Sequence, residues 1–141
     1  MTRALLALGS NLGDRRRQLA EARRLLEQHG VRMLRESSVL ETEPFGVTDQ
    51  PRFLNQVLEV EWPGTARQLL DVAKAVEREA GRKPTYRWGP RELDVDILLF
   101  GDQRVAEPDL EIPHRGLRDR EFLRRLLDEL ALSRRSSPPQ R

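Results

Sequence analysis

Residues 93–100, LDVDILLF, form the chain's most continuous apolar run and carry two aspartates at its entrance. A Val/Ile/Leu/Phe run of this length predicts a strand buried on both faces. In a strand, residues i and i+2 share a face roughly 7 Å apart, so Asp94 and Asp96 project together. Two carboxylates so placed repel each other and resist desolvation unless a cation joins them. Two readings are open at this point: a divalent metal site, or a salt-bridge cluster with Arg87 or Arg91 just upstream.

The chain's 141 residues suit one domain, expected over 1–132, with 133–141 (SRRSSPPQR) as a disordered tail. The absence of cysteine excludes disulfides, thiolate zinc sites and cysteine nucleophiles. With no signal-like segment and no run near ~20 apolar residues, a soluble, cytoplasmic protein without a membrane partner is expected. The net charge is only +2, although 23 of the 25 basic residues are Arg. A nucleic-acid binder usually shows a stronger imbalance or a contiguous basic stripe.

Taken in order, RALLAL (3–8) predicts an interior strand, and GSNLGD (9–14) a turn carrying helix-starting residues. That turn is either structural or a phosphate cradle; it lacks the Walker Lys-Ser/Thr and the dinucleotide spacing. Residues 14–29 predict an amphipathic helix with Leu12, Leu19, Ala22 and Leu26 on one face and Gly30 as its stop. Residues 31–43 read as one strand, straight or bent, 44–51 as a loop, and 53–62 as a half-buried strand antiparallel to it. Thr65 and Gln68 match a capping box opening a helix with Leu69, Leu70, Val72, Ala73 and Val76 on its face. Gly81 closes it, and 82–90 is a loop before the buried strand. Residues 103–113 predict an irregular or short edge-strand excursion, and 119–131 a last helix. The order β-α-β-β-α-β plus a helix predicts an α+β, ferredoxin-like sheet with helices packed on it.

Arg82, Arg87, Arg91, His114 and Arg120 accumulate around the aspartate strand. Carboxylates with several arginines suit phosphoryl transfer, where metals neutralise charge and Arg forks hold polyphosphate. Phe45, Phe53, Trp88 and Phe122 lie in or beside loops, where they pack the core or stack on a flat heteroaromatic ligand. His29, ending the first helix, reads as a surface residue facing its dipole. A ferredoxin-like RNA-binding module is the rival reading, although two strand aspartates would repel phosphates without a metal.

Four ordered motifs, ALGSNLGD (7–14), ETEPFG…DQPRFLNQV (41–57), RWGPRELDVDILLF (87–100) and IPHRGLRDREF (112–122), closely resemble the 6-hydroxymethyl-7,8-dihydropterin pyrophosphokinases. The resemblance implies transfer of pyrophosphate from ATP to the hydroxymethyl oxygen of 6-hydroxymethyl-7,8-dihydropterin, with AMP released, in a monomer that binds no nucleic acid. It implies two Mg²⁺ ions on Asp94 and Asp96, and a catalytic set of Arg82, Arg91, Asp94 and Asp96. ATP would meet Lys74, Glu77, Arg82, Lys83, Trp88, Arg91, His114, Arg115 and Arg120. The pterin would meet Thr42, Pro44, Phe45, Asn55 and Trp88 and lie between Phe53 and Phe122. Phe53 replaces a frequent Tyr, Lys74 a frequent Gln and Arg115 a frequent aromatic residue. The 82–87 loop is one residue short, and the segment after Phe122 lacks the usual Pro-containing continuation, so a catalytically inactive relative acting as a scaffold is a further alternative.

Overall fold

The computed structural model describes residues 1–44, 49–80 and 93–136, the side chains of 133–136 excepted. The elements are β1 (Thr2–Ser10), α1 (Arg15–Gln28), β2 (Arg32–Glu36), β3 (Leu40–Thr42), β4 (Phe53–Trp62), α2 (Ala66–Glu79), β5 (Asp94–Phe100), β6 (Val105–Glu107), β7 (Leu110–Ile112), α3 (Gly116–Asp119) and α4 (Glu121–Ser136). The main sheet runs β2-β4-β1-β5, all antiparallel, with β3 paired to β4 beyond the end of β2. That is the order a βαββαβ chain gives when each helix returns it across one strand, so the α+β expectation holds.

The sheet is covered on both faces. Leu6, Leu8, Leu58, Val60, Val95 and Ile97 pack with Leu19, Leu26, Leu69 and Val76 of α1 and α2. On the other face, Ala7, Val57 and Leu98 pack with Leu123, Leu126 and Leu130 of α4. The residue pairing of β5 with β1 slips by one at Leu98, between Leu5↔Leu99 and Leu6↔Ile97. Because the side-chain period is two, the extra residue lets Leu98 face α4 and Phe100 turn to the first core. The double cover also corrects the reading of β4 as half-buried: Leu54–Val60 are all buried.

Three further readings change and one, the excursion at 103–113, sharpens. Asp14 caps α1 by accepting the Arg17 N–H at 3.2 Å, after Gly13 at φ 73°. The helix therefore starts at Arg15 and leaves Leu12 outside it, 41% exposed. The single strand read over 31–43 is two, because Ser37 turns inward between them and its Oγ accepts the Val57 N–H at 2.8 Å. Residues 105–112 form a β hairpin, held to α2 by Arg67 against Glu107 and Asp109. The last helix is preceded by the one-turn α3, and it continues five residues past Ala131 to Ser136, through residues that all tolerate a helix. The capping box is present as read: Thr65 Oγ1 accepts the Gln68 N–H at 3.1 Å, and Gln68 Oε1 accepts the Thr65 N–H at 2.9 Å. Gly30, at φ 93°, follows the end of α1 as expected. His29 lies at the surface, its Nε2 2.7 Å from Glu79 Oε1.

Candidate active site

The antiparallel register places Asp94 of β5, Gly9 of β1 and Asn55 of β4 in one row across the sheet. The neighbouring row is Asp96, Ala7 and Val57. With the two smallest residues at its centre, the α4 face is left hollow there. The cleft of about 300 Å³ has Ala7 and Gly9 in its floor, Asp94 and Asp96 on one side, and Thr42, Phe53 and Asn55 on the other. His114, Arg115, Asp119, Arg120, Phe122 and Leu123 overhang it from the α3–α4 end.

A Cβ at Gly9 would stand 3.4 Å from Asn55 Oδ1 and 3.6 Å from Phe53 Cδ1, in ordinary contact, so glycine keeps the cleft floor low but a small side chain would fit there. Asn55 is buried, and its Nδ2 donates to Thr42 Oγ1 at 2.7 Å and to Leu40 O at 3.2 Å. Both donors of the amide are thus spent on β3, while Oδ1 looks over Gly9 as an acceptor for a ligand's N–H groups. Phe53 and Phe122 are both half-buried, one on the sheet and one on α4, and both line the cleft.

At the opposite end, β5 is an edge strand, and Glu77 of α2 covers its outer side. Glu77 is 3% exposed, and its Oε2 accepts the Val95 N–H at 2.8 Å, between the two aspartates. Lys74 Nζ lies 3.5 Å from Glu77 Oε1. His114 Nε2 is 3.9 Å from Asp96 Oδ1. The Gly116 N–H donates to His114 Nδ1 at 2.9 Å, so the ring proton of the neutral imidazole sits on Nε2, toward Asp96.

Among the described carboxylates of the cleft, Asp94 and Asp96 are the pair on one strand face that could hold a cation. Two carboxylates on one strand face suit a hard ion that keeps waters and takes its other ligands from phosphate oxygens. Among the described residues no cluster of three ligating side chains offers an all-protein cage.

Of the residues singled out in the sequence, the structure brings Thr42, Phe53, Asn55, Lys74, Glu77, Asp94, Asp96, His114, Arg115, Arg120 and Phe122 to this one cleft. Pro44 is buried and is not among its lining residues. Phe45, Arg82, Lys83, Arg87, Trp88 and Arg91 lie outside the described residues. Gly9, Glu43 and Asp119 also line the cleft and were not singled out. Gly9 was within reach of sequence reasoning, since it ends an apolar strand where the chain turns; an acid in a loop or a one-turn helix carries no such signal.

Residues 5–132 match the model of the 7,8-dihydro-6-hydroxymethylpterin-pyrophosphokinase family. The chain is 41% identical over 128 residues to the 2-amino-4-hydroxy-6-hydroxymethyldihydropteridine pyrophosphokinase of Bacillus subtilis (strain 168), covering 90% of this chain and 77% of that one. It is 41% identical over 130 residues to the Pseudomonas aeruginosa protein of the same name, covering 92% and 80%. It is also 44% identical over 119 residues to the mitochondrial folate synthesis bifunctional protein of Arabidopsis thaliana. There the match takes in 84% of this chain but only 22% of the plant protein.

Proposed function

The chain belongs to the 7,8-dihydro-6-hydroxymethylpterin-pyrophosphokinase family, and from that premise we propose that it transfers pyrophosphate from ATP to the hydroxymethyl group of 6-hydroxymethyl-7,8-dihydropterin in folate synthesis. The observation that carries this reading is the row Asp94–Gly9–Asn55, which sets a carboxylate pair and an amide-lined aromatic slot on either side of a glycine floor. The reacting oxygen and the polyphosphate then meet over Gly9 and Ala7.

In this reading the pterin ring lies between Phe53 and Phe122. Asn55 Oδ1 accepts from its amide-and-amino edge. An unpaired polar edge in such a slot costs roughly 1–3 kcal/mol per group, which selects pterin over other flat rings. Lys74, Glu77, His114, Arg115 and Arg120 face the nucleotide, together with Arg82, Lys83, Trp88 and Arg91. Asp94 and Asp96 would hold Mg²⁺, two ions in the full reading, which supplies charge neutralisation of the phosphates when bound. His114 presents its Nε2–H toward the phosphates from beside Asp96.

The hydroxymethyl oxygen attacks the β-phosphorus. The new O–P bond forms as the bond to the oxygen bridging the α-phosphate breaks, AMP leaves with that electron pair, and the hydroxyl proton passes to solvent. Among the described lining residues no side chain is placed as a dedicated base, so in this reading the chain's contribution is alignment and electrostatics.

The test is direct. The protein with ATP, Mg²⁺ and 6-hydroxymethyl-7,8-dihydropterin should yield AMP and the pterin diphosphate in equal amounts. ADP as the nucleotide product, or no pterin-dependent product, overturns the reading.

A further inference from the structure

Beyond Gly9, the turn at residues 10–14 has no role in the transfer just described, yet Asn11 in it is 1% exposed. β1 ends at Ser10, opposite Leu54. One residue further on, the Asn11 side chain continues the seam with β4 where the backbone ladder stops. Its Nδ2 donates to Gln50 Oε1 at 2.8 Å and to Pro51 O at 2.9 Å. Pro51 has no N–H to give a ladder, so its carbonyl is the handle this stretch of chain offers. The next carbonyl, Arg52 O, accepts from Arg15 Nη1 at 2.8 Å. Two side chains from the turn and the start of α1 therefore grip consecutive carbonyls immediately before Phe53.

We propose that Asn11 is a positioning residue for pterin binding: it fixes the incoming arm of the loop before β4, and with it the Phe53 wall of the slot. This rests on the pterin reading above and extends it to a residue that touches no substrate. The chemistry is specific to an amide. Both Nδ2 hydrogens point at acceptors, so a carboxylate there would face the Pro51 carbonyl with like charge, and a methyl would leave that carbonyl without the donor. The turn is thus an anchor for the pterin loop rather than a phosphate cradle.

The experiment measures pterin dissociation constants by ligand fluorescence, and KM for each substrate, in wild type, Asn11→Ala, Asn11→Asp, Gln50→Ala, the Asn11→Ala/Gln50→Ala double variant and, as a control, Leu12→Ala at the exposed neighbour. Asn11→Ala should weaken pterin binding about tenfold, the scale of a lost buried hydrogen-bonding group, with Asn11→Asp weaker still and Leu12→Ala unchanged. The KM for ATP and kcat at saturating pterin should stay near wild type. Because the two amides act together, the double variant should bind pterin as Asn11→Ala does, not as the product of the two single effects. Wild-type pterin affinity in a folded Asn11→Ala protein overturns the proposal, as does an equal rise in both KM values, which would report general loosening. Failure of the wild type itself to bind pterin or form AMP would instead sink the function on which the proposal rests.

Discussion

Gly116 approaches the His114 ring so closely that its N–H donates to Nδ1 at 2.9 Å, while the ring's Nε2 stands 3.9 Å from Asp96 Oδ1. One backbone group thus sets the tautomer and aim of the side chain that links the aspartate strand to the overhanging segment. A Cβ on residue 116 would fall 2.9 Å from Nδ1 and 3.1 Å from Cε1, so the ring must move. Gly116→Ala should raise the KM for ATP about five- to tenfold and leave the KM for pterin near wild type. Steady-state kinetics with each substrate varied in turn checks this; an unchanged KM for ATP means His114 does not serve the nucleotide.

Asp94 and Asp96 share one strand face and would hold the cation. Asp96→Asn and Asp94→Asn should each lower AMP formation at least about a hundredfold, by removing an anionic ligand without changing shape. The melting temperature should not fall, because one of two neighbouring like charges is gone. Turnover within a few fold of wild type in both variants rules out the metal assignment.

Far from the cleft, Thr65→Ala breaks the reciprocal hydrogen bonds that open α2. Loss of such a cap costs about 1 kcal/mol. Urea unfolding should register that loss while kcat/KM for both substrates stays constant. A large kinetic effect would mean that the start of α2 communicates with Glu77 at its far end.

The β6–β7 hairpin carries a pH signature. The Arg67 guanidinium, through its hydrogen bond, holds the Asp109 carboxyl below its ordinary value of 3.8. A carboxyl depressed in the folded state stabilises it above the unfolded value, and that contribution is lost as pH falls through the depressed one. Hydrogen exchange, corrected for the intrinsic pH effect, should show β6–β7 opening more readily below about pH 4. In Arg67→Ala the hairpin should be equally open on both sides of that pH.

Much of this was legible along the chain. Thr65 and Gln68 announce their capping box because the motif is local and three residues long. Asp94 and Asp96 announce a shared face because a strand has period two. Phe53, Asn55 and Phe122 were picked out by chemistry and motif, and the fold brings them to one cleft. The misreadings have a common cause. Leu12 fits the apolar stripe of α1 by spacing, but Gly13 and Asp14 break the helix after it. β4 alternates as a half-buried strand would, yet α4, some seventy residues later, covers its other face. Local pattern does not contain what a distant element packs against.

The sequence by itself determined the βαββαβ order of the main sheet and its two helices and the pair of acids on one strand, because these follow from short-range periodicity and side-chain chemistry. Only the tertiary structure decided that Gly9 lies between Asp94 and Asn55 and that Glu77 pins the edge of β5. The same holds for Asn11 reaching forty residues along the chain to Pro51. Those relations depend on strand register, and register is fixed when two covered faces of one sheet must be satisfied at once.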